Sequence, residues 1–297
     1  MLGLELLERT ATAVAVGPDG RVLARAERVS AGASLAEVAV AAVRQVMTAP
    51  GLPVPATLGL AALDPSAHDP TVAALAAAFG GALASRTVWP SGAAAAIAET
   101  WCGAARGARD VVLFSIGRRT AAGILKGGEV WKGAHGLAGA VAWLALNPVE
   151  REDYRKLGCL EAEIGAAGIV RRLVWRIKAG DRSRVLDAAG GELGAITVEL
   201  VLHGARTGDG VAISVVRDTA KYVGMAAANL VVTVDPEVLV LGGIMADAGD
   251  LLLEPVRAEI LRRLPASLGQ MVRIELATLG DDAPAIGASR LAASAIT

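Results

Sequence analysis

The sequence predicts an α/β protein with two similar halves, and three observations carry that expectation. Short runs rich in Val, Leu and Ala, bounded by glycine or proline, read as buried strands. Segments with apolar residues at helical spacing follow them, and the order of strands first, then alternating helices and strands, occurs before Gly107 and again after Val111. The 297 residues suffice for two lobes, each with its own core.

The elements follow in order. Residues 2–29 read as a hairpin pair, LGLELLERTATAVAV returning as RVLARAERV after a turn at Pro18-Asp19-Gly20. Ser34 caps a helix, SLAEVAVAAVRQVMTA. TLGLAAL is a short buried strand, TVAALAAAFG a small helix closed by Gly80-Gly81, TVW a strand and SGAAAAIAETWCGAARG a helix. After Val111 come two strands in 111–132, helices around 159–179, 192–205 and 210–232, a strand VLVLGG, a helix at 250–264, a strand VRIELA and a final helix IGASRLAASAI.

Composition narrows the class. Hydrophobic residues at 54% and charged residues at 20% indicate a folded protein. A net charge of −1 supplies no basic face for nucleic acid. No apolar run approaches the roughly 18 residues of a membrane span, and no secretory signal is visible. Two cysteines far apart, Cys102 and Cys159, argue against a disulfide framework. The expectation is a cytoplasmic protein without membrane or DNA partners.

The run VVLFSIGRRTAAGILKGGEVWKGAHGLAGAVAW, the later GCLE and the run DPEVLVLGGIM together resemble the ROK family of sugar kinases and sugar-responsive repressors, in order along nearly the whole chain. The resemblance implies a duplicated actin-like ATPase (ribonuclease H-like, sugar-kinase) fold, with two lobes and an interlobe cleft. The expected lobes are residues 1–107, joined by a C-terminal helix at 281–297, and residues 108–280. A homodimer formed through the larger lobe is also implied, and a mean hydropathy of +0.49 agrees with an apolar surface needing cover. ROK repressors carry a helix-turn-helix ahead of the first hairpin; this sequence opens on that hairpin, so operator binding is not expected.

Most positions where the family keeps reactive groups hold something else. Its first phosphate turn, an acidic residue, one apolar residue and Gly-Gly-Thr, corresponds to Glu5-Leu6 and then Leu7-Glu8-Arg9-Thr10, one residue longer and without glycine. Glu5 and Thr10 are the nucleotide-side remnants, and Glu8 stands where a phosphate needs a donor. The second turn corresponds to Gly117–Gly123, with Arg118 and Arg119 between. These two bind an anion directly, fill the phosphate pocket and pair with Glu8, or are solvated hairpin arginines. Gly242-Gly243 matches an adenosine-side motif, which speaks more for ancestry than for ATP.

On the sugar side, Trp89-Pro90-Ser91 stands where the family places Asn-Asp before a helix, so Ser91 replaces the general base. A sugar hydroxyl attacks phosphorus well only as its proton is taken, and serine is not basic at neutral pH. Ala140 replaces a sugar-binding carboxylate and Trp143 a histidine. Glu161 is the surviving sugar carboxylate; it also suits a helix N-terminus. The zinc motif aligns with residues 152–159, where only Cys159 remains, and His135 has no ligand partner at usable spacing. No zinc is expected, the loop being braced by Tyr154 or a Glu152–Arg155 ion pair. His68-Asp69 reads as a surface turn and His203 as a helix-end residue. The substrate-covering excursion of roughly 20 residues after TLGLAAL is missing.

Trp89, Trp143 and Trp101 replace or flank polar contacts. They line an apolar pocket with Ser91, His135 and Glu161 as polar actors, or they fill it. The expected function is therefore binding or transformation of a small molecule other than a hexose, without a cofactor. The alternatives are a divergent sugar kinase using ATP and magnesium, and a non-catalytic pseudokinase.

Overall fold

The computed structural model describes residues 1–52, 57–80, 87–117 and 119–294. Gly81 and Arg118, both singled out above, lie outside the described residues. Contacts divide the chain into two compact units. The first comprises Met1–Leu113, Gly123–Gly139 and the chain from Ala277 onward; the second comprises Phe114–Ala122 and Ala140–Leu276.

The first sheet has the order β3-β2-β1-β4-β5. Strand β1 (Leu2–Leu6) pairs antiparallel with β2 (Thr10–Val16), from Leu2 opposite Ala15 to Leu6 opposite Ala11. It pairs parallel with β4 (Leu58–Ala62) on its other side. Strands β3 (Val22–Val29) and β5 (Val88–Pro90) complete the order. The segment read as one strand, 2–16, is therefore two. Exposed Glu8 and Arg9 interrupt the apolar pattern, and the Leu7 N–H donates to the Thr10 carbonyl at 2.8 Å to close a tight connection.

Helix α1 (Leu35–Met47) starts at a capping box. The Ser34 hydroxyl accepts from the Glu37 N–H while the Glu37 carboxylate accepts from the Ser34 N–H. It buries Val38, Ala39, Ala42, Val43 and Val46 with Leu4, Leu6, Leu58 and Leu60 in one core. Helix α2 (Asp69–Phe79) follows a short 3-10 turn, and α3 (Ser91–Cys102) springs directly from β5.

The second sheet has the order β10-β9-β6-β7-β8. Its members are β6 (Val111–Ile116), β7 (Thr120–Lys126), β8 (Glu129–Val130), β9 (Val238–Gly243) and β10 (Arg273–Leu276). The almost wholly apolar β6 and β9 have paired strands on both sides, as buried central strands do. The helices are α4 (Glu152–Leu157), α5 (Cys159–Ile164), α6 (Ala166–Lys178), α7 (Arg184–Ala188), α8 (Val198–Arg206), α9 (Gly210–Val234), α10 (Ile244–Asp247), α11 (Gly249–Arg263) and α12 (Ala266–Met271). The helix expected over 159–179 is broken at Gly165, whose extended ψ of 160° ends one turn and caps the next. Helix α8 runs on past Gly204 to Arg206, with His203 in its last turn.

The last helix, α13 (Ala283–Ser294), belongs to the first unit and lies against its sheet at backbone distance. A Cβ on Gly59 would sit 1.8 Å from the Ala288 carbonyl oxygen, and one on Gly287 would sit 1.7 Å from that of Ala94 in α3. Only glycine permits such approach. No helix among the described residues is long and apolar enough to cross a membrane.

Candidate functional site

In the first unit, Trp89 and Pro90 form β5 and Ser91 opens α3. Trp89 packs on the small residues Ala61, Ala94 and Ala288, and the Lys132 ammonium stands 3.8 Å above its ring. Ser91 is 5% exposed, and its hydroxyl has no hydrogen-bond partner. Glu5 is buried near the end of β1, opposite Thr12 and Ala61 in register, and Thr10 is buried at the start of β2. His135 is exposed in a loop closed by a 3.0 Å bond from the Ala138 N–H to the Lys132 carbonyl.

Glu99, one turn before the end of α3, was not anticipated as a structural centre. Its wholly buried carboxylate accepts from the N–H groups of Ala104 (2.7 Å), Thr278 (2.9 Å) and Leu279 (3.0 Å) and from the Thr278 hydroxyl (3.2 Å). It ties the loop after α3 to the chain entering α13, and every acceptor position it offers is spent on the fold.

In the second unit, the turn between β6 and β7 contains Gly117, exposed Arg119 and Thr120. The Thr120 N–H donates to the Glu161 carboxylate at 2.5 Å, and the Thr120 hydroxyl is buried without a partner. Glu161 lies in the first turn of α5, as a dipole-complementing residue would, but its carboxylate reaches across to this turn. Gly243 ends β9 with φ 63°, and a Cβ there would sit 2.2 Å from the Ile116 carbonyl oxygen, so this glycine lets β9 close on β6. Ala140 precedes a 3-10 turn, Val141–Trp143, in which Trp143 is 57% exposed. Trp89 and Trp101 thus share a cavity of the first unit, whereas Trp143 stands on the surface of the second.

The stretch aligned with a zinc motif is held by an ionic network. Tyr154 is buried and its hydroxyl donates to the Glu163 carboxylate at 2.5 Å. Arg151 (3.1 Å) and Arg172 (3.4 Å) also reach Glu163, while Asp153 pairs with Arg151 (2.8 Å) and Arg171 (2.5 Å). Burial, first, and the neighbouring Glu163 raise the Tyr154 pKa, against a lowering from Asn147. Burial lowers that of Arg172, against Glu163 and Asp218. The expected Glu152–Arg155 pair does not form: Glu152 pairs with Lys156 and Arg155 with Glu150, each at 2.7 Å. Glu152 and Lys156 are i,i+4 neighbours on α4, while Arg155 turns back to Glu150, which precedes the helix. Among the described residues no cluster of three His, Cys, Asp or Glu is arranged to hold a metal ion.

Set beside solved structures, the chain superposes with a TM-score of 0.83 on a ROK family glucokinase from Streptomyces griseus in complex with glucose and AMPPNP, at 24% identity and over 99% of both chains. The fold is therefore that of the actin-like ATPases of sugar-kinase type. The ROK family profile matches residues 89–295, and the chain belongs to that family. A glucokinase from Halalkalibacterium halodurans is 33% identical over 196 residues, 65% of this chain and 59% of that protein. The DNA-binding transcriptional dual regulator NagC of Escherichia coli (strain K12) is 29% identical over 201 residues, 66% of this chain and 47% of the regulator. The chain thus spans about half to three fifths of the length of the curated relatives it matches.

Proposed function

We propose that this ROK protein does not perform ATP-dependent sugar phosphorylation and binds or transforms a different small molecule. The observation that carries the reading is Ser91. At the head of α3, where the family resemblance calls for a general base, stands a buried hydroxyl without a hydrogen-bond partner. A proton acceptor there must take the sugar hydroxyl's proton as the new O–P bond forms, and loss of such a base costs about 10²–10⁴ in rate. Two further features oppose a triphosphate. Glu8 stands exposed in the β1–β2 connection, and the Thr120 N–H in the second turn is already given to Glu161. Of the remaining candidates, Trp89, Pro90, Ala140, Trp143 and Glu161 are proposed as ligand contacts, with Ser91, His135 and Glu161 as polar actors.

The kinase reading keeps one support, the similarity to glucokinases in sequence and fold. It would use Glu5 for magnesium, with Arg119, Gly242 and Gly243 toward nucleotide, and needs a base from elsewhere. Calorimetry with Mg·ATP, together with ADP release over a panel of hexoses, separates the two. The proposal expects no binding at millimolar ATP and no turnover. Hexose-dependent ADP release near the ~1–100 s⁻¹ usual for kinases would overturn it.

A further inference from the structure

We propose that the first unit carries a binding site for a planar aromatic ring bearing an oxyanion group. The site is a cavity of about 720 Å³, within the range of small-molecule pockets. Trp89 of β5 and Trp101 of α3 both line it, and Leu291 of α13 adds an apolar contact. Trp89 is backed by Ala61, Ala94 and Ala288, residues too small to compete for the space in front of the indole.

Charge decides the ligand class. Lys132, Arg106 and Arg290 line the same cavity, against one carboxylate, Glu129. Among the described residues none of these three cations forms an ion pair, although the other basic side chains around Glu163, Glu259 and Asp153 do. Two of the three are instead held over aromatic faces, Lys132 over Trp89 at 3.8 Å and Arg290 over Trp101 at 5.2 Å. A cation parked on an indole keeps its remaining N–H donors for another acceptor. Two ring faces with adjacent unpaired donors suit a ligand that is flat and apolar over most of its area and anionic at one edge. A neutral hexose would leave the cations without a counter-charge. The inference does not rest on the loss of phosphotransfer, because none of these residues belongs to the phosphate turns or stands in for the base.

The test is calorimetric titration of the full chain with 2-naphthoate, 2-naphthamide and acetate, repeated on Lys132→Gln and Arg290→Gln. Lys178→Gln, an exposed change in the second unit, is the control. Thermal unfolding checks that each variant keeps the wild-type midpoint, and both targets are exposed enough for the fold to survive the change. Saturable binding of naphthoate is expected, at least ~10-fold tighter than the isosteric amide, with acetate undetected. Each cavity variant should lose about 10-fold, as removal of a charge-assisted contact does, while the control binds as the wild type. Equal affinity for acid and amide, unchanged affinity in both cavity variants, or no naphthoate binding at millimolar concentration would each overturn the proposal. None of these outcomes depends on whether the protein releases ADP, so the two readings fail separately.

Discussion

Glu163 holds more of the second unit together than any residue the sequence had marked. One buried carboxylate accepts from the Tyr154 hydroxyl and neutralises Arg151 and Arg172, while Arg171 lies 3.8 Å away. Removing it leaves Arg172 without its carboxylate and Asp153 alone against Arg151 and Arg171, the situation in which breaking a buried pair is costly. Glu163→Ala should therefore lower unfolding free energy by about 3–5 kcal/mol, measured by urea denaturation. A loss below about 1 kcal/mol, the worth of an exposed pair, would mean that the network is solvated. Nothing local in the sequence marks Glu163, because no short spacing brings residue 151 beside residues 171 and 172. Ser91 is the opposite case. Its position between a strand and a helix is local and was legible, whereas the missing partner of its hydroxyl was not. Glu161 shows the limit most plainly, since its acceptor role depends on Thr120, 41 residues away.

At the scale of elements, periodicity found the strands and long helices because each buries a continuous face. It missed breaks set by single residues, as at Glu8-Arg9 and Gly165. Helix α2 carries a pH dependence that the pattern alone does not show. His68 precedes it, and burial holds the imidazole pKa below its ordinary value, with the Asp64 carboxylate working the other way. A depressed folded-state value favours the neutral ring. The stability it contributes is complete above the unfolded-state pKa of ~6.5 and is lost as pH falls below that value through the lower folded-state one. A cation at a helix N-terminus adds to the penalty. Between about pH 7.5 and about pH 5.5, on either side of that value, the denaturation midpoint of the wild type should fall further than that of His68→Gln. Parallel curves for the two proteins would show that His68 is solvated in the fold.

For the whole molecule, the fold was legible because the order of strands and helices repeats. The side-chain partnerships were not, because Glu161 and Glu163 find theirs in remote segments. Exposed apolar side chains are numerous on both units: Leu137 and Met271 are 70% and 73% exposed, and Trp143, Trp175 and Val232 are also exposed. Such surface is unusual for a monomer when contiguous, and we propose a homodimer. Sedimentation at micromolar concentration should give twice the 30.1 kDa chain mass. A single monomer boundary over that range would remove the proposal.

The position of α13 has a consequence for how the protein is made. Gly3 and Gly59, on two of the earliest strands, have their close neighbours at Ala285 and Ala288, almost the whole sequence later. At roughly 5–20 residues per second, the ribosome delivers those neighbours on the order of tens of seconds after β1 has emerged. Until then the face of the first sheet that receives α13 has nothing to cover it. The second unit's main segment, Ala140–Leu276, is synthesised in that interval. The first unit is thus completed only after the chain of the second has been synthesised.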